Sequence, residues 1–378
     1  MPSLIPRFPL QRYAVLLFAL TLMLCAHAQV SSAAPKRLVA YYLHQEHPRE
    51  PVYATRQIPF KKLTHLIEVA MVINPAGDGS VTVSPQAGED RLIPRAHAAG
   101  VRVLACVQGA EDAFRKMAST EDSRALFVRN VKGFVLAHSY DGMDLDWEVP
   151  EDQTDVANNV LLMRALRDAL PAPRFLLSMA TPSEPGHWGI YDFAQLNPIV
   201  DFYNVMTYDF HGPWTNHAGH NSPLFSSDAD PGHDGSIDDT VNLYLNKLGV
   251  PPEKINLGTA FYGYEFPAAP LYGPCNCEKS TEGRDYGTYI KPRIGKDGWV
   301  ESFDPIAMSP YLVRTAPTPG FITYDDPGST ARKVAYALDV RDLGGVFMWE
   351  LSQDYDGHKQ DLLDSMYKSF RQIERTRQ

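Results

Sequence analysis

The sequence predicts a (β/α)8 barrel (a TIM barrel) with a small α+β subdomain inserted between its seventh and eighth strands. Three observations predict it. Eight short apolar, β-rich runs alternate with helical patterns. Most of these runs are apolar nearly throughout rather than at every second residue, as a parallel sheet covered on both faces requires. The eighth run begins ninety positions after the seventh, whereas the earlier ones follow one another at 26 to 54. An open doubly wound sheet would show the same alternation, but at this length closure into a barrel is the economical arrangement.

The strand runs are "RLVAYYL" (37–43), "THLIEVAMV" (64–72), "VRVLACV" (101–107), "GMDLDWE" (142–148), "RFLLSMA" (174–180), "VDFYNVM" (200–206), "KINLGTA" (254–260) and "GGVFMWE" (344–350). Between them, "SRALFVRNVKGFVLAHS" (123–139), "DVANNVLLMRALRDAL" (155–170) and "ARKVAYALDVRDL" (331–343) carry apolar residues at helical spacing. The barrel is assigned to 36–264 and 322–374. The intervening 265–321, rich in Gly, Pro and Tyr, is too long for a structureless loop and is assigned to the subdomain. After the eighth strand there is room for one final helix.

Ahead of the first strand, Arg7 and Arg12 form a basic leader, 13–25 is an apolar run and "AHA" (26–28) is a small-x-small cleavage signal. That is the layout of a secretory signal peptide over 1–28, with an apolar run too short for a spanning helix. The mature chain is therefore expected to be secreted or periplasmic and to act as a monomer. Removing 1–28 leaves 33 basic against 45 acidic side chains, a net charge of −12. Such a surface is a poor match for nucleic acid or anionic membrane. Cys106, Cys275 and Cys277 remain, too few for a disulfide scaffold. "CNC" (275–277) fits no zinc spacing, and a bridge across one residue is expected to be strained, so it reads as a loop feature.

The informative stretch is "SYDGMDLDWEVP" (139–150). In a strand, residues i, i+2 and i+4 share a face. Asp144, Asp146 and Glu148 therefore point one way, into the barrel and up toward its C-terminal mouth, while Met143, Leu145 and Trp147 point toward the helices. Barrel enzymes place their chemistry at that mouth. Acidic residues at alternate strand positions often form a solvated face instead. Here the flanking strands are of the buried type, and Pro150 ends the strand at the top of the row. Clustered carboxylates also suit Mg²⁺ or Ca²⁺. With no phosphate-binding glycines and no second cluster to match, neither a metal nor a cofactor is assigned. Carboxylates this close cannot all ionise at low dielectric, so the set holds a proton near neutral pH, as a general acid must.

"DGMDLDWE" resembles the DGxDxDWE signature of glycoside hydrolase family 18, the chitinases and their relatives. "VAYY" (39–42), "KKLTHL" (61–66), "MTYDFHG" (206–212), "FYGY" (261–264) and "GGVFMWEL" (344–351) resemble the family's other strand motifs in order. The segment with "SPYLV" is similar to the insertion of the longer branch. The resemblance implies a retaining, substrate-assisted reaction on β-1,4-linked N-acetylglucosamine polymers, chitin or its oligomers. Glu148 would be the acid. Asp146 would orient the substrate acetamide, Asp144 would support Asp146, and Tyr208 would hydrogen-bond the acetamido oxygen. Met206 and Asp209 would line the same pocket and Trp349 would form its floor. Tyr41, Trp214 and Tyr262 are further sugar-binding candidates, with Tyr42, Trp188 and Trp299 as weaker ones, and Asp141 is structural by its opposite parity. Another acetamido-sugar linkage, in peptidoglycan or the N-glycan core, would fit the same barrel. A silent carbohydrate-binding lectin fits poorly, because Glu148 is present.

The chain departs from the family pattern at several points. Cys106 and Gln108 stand where a small hydroxyl and a glycine are usual, which is expected to narrow the space beside the acidic column. Glu68 replaces part of an aromatic element and is expected to add charge near the site. Tyr264 occupies the common arginine position.

Overall fold

The computed structural model describes residues 35–44, 51–88, 91–184, 186, 187, 189–267 and 270–377. The leader 1–28 and Trp188 lie outside them. Eight parallel strands form the barrel: β1 (Arg37–Leu43), β2 (His65–Ile73), β4 (Arg102–Gln108), β5 (Gly142–Leu145), β6 (Leu176–Pro182), β7 (Phe202–Met206), β8 (Ile255–Ala260) and β14 (Gly345–Trp349). The ladder runs β1-β14-β8-β7-β6-β5-β4-β2, and β2 pairs back onto β1, so the sheet is closed. A short β3 (Val81–Val83) adds antiparallel to the upper end of β2.

Strand parity divides the apolar residues into two cores, as alternation of side chains across a strand dictates. Val39 and Tyr41 of β1, Ile67 and Val69 of β2, Leu104 and Cys106 of β4, and Phe347 of β14 fill the interior. Leu38, Ala40, Leu66, Ala105, Met143, Leu145 and Trp147 belong to the layer between barrel and helices. There Trp147 stacks on Phe114 of helix Glu111–Ser119, with ring planes 12° apart. Two of the long helices start where a side chain accepts the free amides of the first turn. Thr120 Oγ1 accepts from Ser123 N (3.2 Å), and Asp152 Oδ1 accepts from Thr154 N and Asp155 N (2.8 and 2.9 Å) ahead of helix Gln153–Ala169. Gly142 is fixed by space, since a Cβ there would lie 1.9 Å from the Leu176 carbonyl oxygen of β6.

Between β8 and β14 the chain forms a second, antiparallel sheet, ordered β10-β9-β13-β12-β11. Its strands are β9 (Tyr262–Pro267), β10 (Glu282–Asp285), β11 (Val300–Asp304), β12 (Ser309–Arg314) and β13 (Gly320–Thr323). β9 starts two residues after β8 ends, so Tyr262 and Tyr264 sit on this second sheet directly above the barrel. Trp299 is buried within it beneath the Arg314 guanidinium, 4.4 Å from its carbon, and offers no free face.

Two expectations are corrected. Cys275 and Cys277 are joined to each other. Their Cα atoms lie 5.0 Å apart, inside the usual disulfide span, because the turn at Asn276 brings the two ends together. Glu68 does not approach the site. Its even parity on β2 turns it outward, where it is fully buried, bonds His44 and accepts from Tyr140 Oη at 2.5 Å. The chain's last helix, Asp361–Arg377, docks on the carboxylate of Asp354, which accepts from Leu362 N and Leu363 N at 3.1 and 2.9 Å. Among the described residues no helix is long and apolar enough to cross a membrane.

Candidate active site

β5 is shorter than its apolar pattern and ends at Leu145, although Asp146 N still donates to Val107 O at 3.0 Å. The three acids therefore climb from ladder to rim. Asp144 is fully buried, Asp146 is 7 % exposed and Glu148 is open to the cleft. Asp141 lies at the opposite end, tied to Arg102 Nε (3.0 Å), His97 Nε2 (2.8 Å) and Val103 N (2.8 Å), a structural clamp.

Asp144 is surrounded by donors from four strands. Tyr41 Oη of β1 donates to Oδ2 at 2.8 Å, Asn204 Nδ2 of β7 to Oδ1 at 3.3 Å, and Ser178 Oγ of β6 to Oδ1. The Cys106 thiol of β4, level with Asp144 in the ladder, donates as well. Burial raises the Asp144 carboxyl, and these donors pull it back down by favouring the charged form. Asp146 has no such support. Burial first, then the charges of Glu148 and Asp144, push it well above the usual carboxylate range. It hydrogen-bonds Glu148, while its Oδ1 is buried without a partner. Glu148 is also raised, chiefly because the walls of the cleft desolvate it and then by the charges of Asp209 and Glu111, with the bond to Asp146 opposing. The arrangement keeps one proton in the Asp146–Glu148 pair, with charge carried below on Asp144, whose donors favour the ionised form.

A cavity of about 180 Å³ opens over the column, lined by Tyr41, Asp146, Glu148, Ala180, Met206, Tyr208, Asp209, Tyr262, Phe347 and Trp349. A second, of about 230 Å³, runs from Glu148, Met206, Tyr208 and Asp209 to Trp214, Glu111 and Ser183. The four shared residues make these two lobes of one groove, with Glu148 at the joint. Trp349 forms one wall beside Tyr41, ring centroids 5.4 Å apart. Trp214, half exposed, stands edge-on to Tyr264 in the other lobe. Gly212 leaves it that room, since a Cβ there would lie 2.5 Å from the indole. Indole faces at both ends of a polar groove suit the apolar faces of pyranose rings. Gln108 lines a third, polar hollow on the far side of Glu148.

Asp209 Oδ1 takes two phenols, Tyr262 Oη at 2.5 Å and Tyr264 Oη at 2.9 Å, and burial raises its carboxyl. Tyr41, Asp146, Glu148, Met206, Tyr208, Asp209, Trp214, Tyr262 and Trp349 thus border this groove and Asp144 lies beneath it, whereas Tyr42 packs in the layer between barrel and helices and Trp299 in the second sheet. Tyr41 borders the groove with its hydroxyl committed to Asp144. Sequence reasoning missed Ser178 and Asn204. Their signal was present as the one polar side chain within "LLSMA" and within "FYNVM", and Ser178 lies level with Asp144 in the ladder.

A closed parallel barrel with carboxylates rising to its C-terminal mouth under an aromatic groove has the architecture of a carbohydrate-processing barrel enzyme. The model of the glycosyl hydrolases family 18 matches residues 37–354, and the chain belongs to that family. Endochitinase 1 of the fungus Metarhizium robertsii is 34 % identical over 256 residues, which is 65 % of this chain and 59 % of that protein. The chain thus spans little more than half the length of this relative. Among solved structures, a family 18 N-acetylglucosaminidase from Paenibacillus barengoltzii aligns with a TM-score of 0.76 and 27 % identity, over 88 % of this chain and 99 % of that one. A Group IV chitinase of Ostrinia furnacalis in complex with allosamidin aligns at TM-score 0.77 and 23 % identity, over 89 % and 99 %, and shows the shared fold.

Proposed function

We propose that this protein is an exported glycoside hydrolase that cleaves β-1,4-linked N-acetylglucosamine chains by a retaining, substrate-assisted mechanism. The observation that carries the reading is Glu148 at the joint of the two lobes, hydrogen-bonded to Asp146, with which it shares a proton that passes to Glu148 for the reaction. A sugar seated against Trp349 and its neighbour toward Trp214 would span that joint, with the glycosidic oxygen at Glu148. Glu148 gives its proton to this oxygen as the bond to the anomeric carbon breaks. The acetamido oxygen of the Trp349-side sugar attacks the same carbon and forms an oxazolinium ion. Asp146 turns from Glu148 to the acetamide nitrogen, and Asp144 balances the charge below it. Tyr208 donates to the acetamido oxygen and orients it. Water then adds to the anomeric carbon as Glu148 takes back a proton. The leader over 1–28 supports export.

Glu148→Gln keeps the shape and removes the proton, so it should lower kcat at least a thousandfold while N-acetylglucosamine oligomers still bind. Asp146→Asn should lose most turnover on 2-acetamido substrates. A product time course on oligomers of increasing length checks both variants and the cleavage pattern. Substantial turnover by Glu148→Gln, or equal wild-type rates on substrates with and without the acetamido group, would overturn the reading.

A further inference from the structure

Four side chains in the loop after β7 bring acceptor atoms to one point: His211, His217, Asp230 and Asp234. They lie outside the groove and have no part in the mechanism above. His211 and His217 are buried, as is Asp230, and Asp234 is partly exposed. His211 Nε2 lies 3.1 Å from His217 Nε2, 3.4 Å from Asp230 Oδ2 and 3.3 Å from Asp234 Oδ2. His217 Nε2 lies 2.8 Å from Asp230 Oδ1 and 3.1 Å from Asp234 Oδ2.

The other ring nitrogens decide what these contacts are. His211 Nδ1 faces the carbonyl oxygen of His220 at 3.0 Å, and His217 Nδ1 faces Asn216 Oδ1 at 2.8 Å. Both oxygens are acceptors, so each Nδ1 carries the hydrogen and each Nε2 presents a lone pair. Two lone pairs and two carboxylates then converge on one centre. A single proton can bridge one pair of them, whereas a metal ion satisfies all four. Hydrogen bonds from ligand imidazoles to backbone or amide oxygens are the usual way a metal site fixes its histidines. Asp234 Oδ2 is shielded from solvent and receives no hydrogen bond.

We infer that His211, His217, Asp230 and Asp234 form a four-coordinate site for a divalent transition metal, best matched by Zn²⁺. Bonds of about 2.0–2.1 Å in a tetrahedron set ligand atoms about 3.3–3.4 Å apart, close to the separations present. Two imidazoles disfavour Ca²⁺ and Mg²⁺, which take oxygen ligands, and two carboxylates balance the charge of a divalent ion. The backbone leaves room for the ligands. A Cβ on Gly219 would meet the His211 ring at 2.1 Å, and one on Gly232 would lie 2.4 Å from Asp234 Oδ2. Asp234 also lines an open cavity of about 360 Å³ with Gly235 and Asp239, which gives an ion a way in. His211 follows Asp209 by two positions, so the metal would staple the loop that carries Asp209 and Trp214 across to 230–234. The rival is a proton. Burial opposes charge on His211, but the nearby carboxylates of Asp230 and Asp234 outweigh it and hold the imidazole up to about 9.

The test uses the full chain, stripped by dialysis against a chelator and titrated with Zn²⁺ alone. One equivalent per chain should bind by calorimetry and elemental analysis, and Tm should rise by several degrees at Zn²⁺ a hundredfold above its dissociation constant. Co²⁺ should give the intense visible absorption of a tetrahedral site. Asp234→Asn, at the partly exposed position, should keep the circular dichroism of the wild type and bind at least tenfold more weakly. His217→Ala should abolish the site. A wild-type chain that takes up no stoichiometric Zn²⁺ overturns the inference in favour of the proton-bridged cluster. One-equivalent binding of unchanged affinity in Asp234→Asn overturns it as well.

Discussion

Asp144 and Asp146 differ by one step along the same face, yet their surroundings push them apart. Donors from Tyr41, Ser178, Asn204 and Cys106 keep Asp144 chargeable, whereas Asp146 meets only other acids. Removing one donor should therefore move a titration. Tyr41→Phe deletes the bond to Asp144 Oδ2 and leaves the ring in place. A hydrogen bond to a buried carboxylate contributes roughly 1.5–3 kcal/mol, so the acid limb of the kcat/KM profile should move up by about one to two pH units. An acid limb that stays put would show that it does not report Asp144. Tyr264 makes a related contrast. An arginine there would give Asp209 a counter-charge, but two neutral phenols hold it instead, and burial keeps its carboxyl raised.

At the scale of elements, the loop after β7 carries Tyr208, Asp209 and Trp214, and small residues set its shape. Gly212→Ala would put a methyl group against the Trp214 indole, which can move because half of it is in solvent. KM for longer oligomers should rise several-fold, with kcat within twofold and stability changed by less than about 1 kcal/mol. Steady-state kinetics on two oligomer lengths checks this. The strands and the acidic row were legible in the sequence because period-2 spacing and near-continuous apolar runs translate directly into faces and layers. "DGMDLDWE" therefore pointed to its own position at the barrel mouth. What escaped was set by distance along the chain. The partners of Asp144 come from positions 41, 106, 178 and 204, and no local pattern links them. Glu68 was misjudged because one position of register separates Ile67 and Val69, which face the interior, from an outward carboxylate tied to His44 and Tyr140. The His–Asp cluster left a compositional trace, since 211–233 holds four of the twelve histidines, but its spacing of six, thirteen and four matches no familiar ligand motif.

For the molecule as a whole, buried acids make stability depend on pH in an unusual direction. Burial raises Asp354 to about 7 from 3.8, against the pull of the two backbone amides it accepts. A carboxyl with a raised native pKa binds more protons folded than unfolded, so stability falls as pH rises from about 4 through 7. The largest effect is roughly 4 kcal/mol, at 1.36 kcal/mol per unit. Asp354→Asn removes this titration and keeps one acceptor for the last helix. Its Tm should fall less than that of the wild type between pH 5 and pH 8, by differential scanning calorimetry. Identical slopes would show that Asp354 is ionised throughout. Asp144, Asp146 and Asp209 are raised too and act in the same sense, so the variant's slope should shrink without vanishing.

The four donors around Asp144 lie on β1, β4, β6 and β7, and β1 joins the ring through β2 on one side and β14 on the other. The charged acid at the base of the column is thus seated by strands far apart in sequence, which the complete barrel brings around it. In refolding, any turnover should therefore appear together with the recovery of native near-ultraviolet circular dichroism, and turnover ahead of that signal would show that the Asp144 cluster forms without the finished barrel.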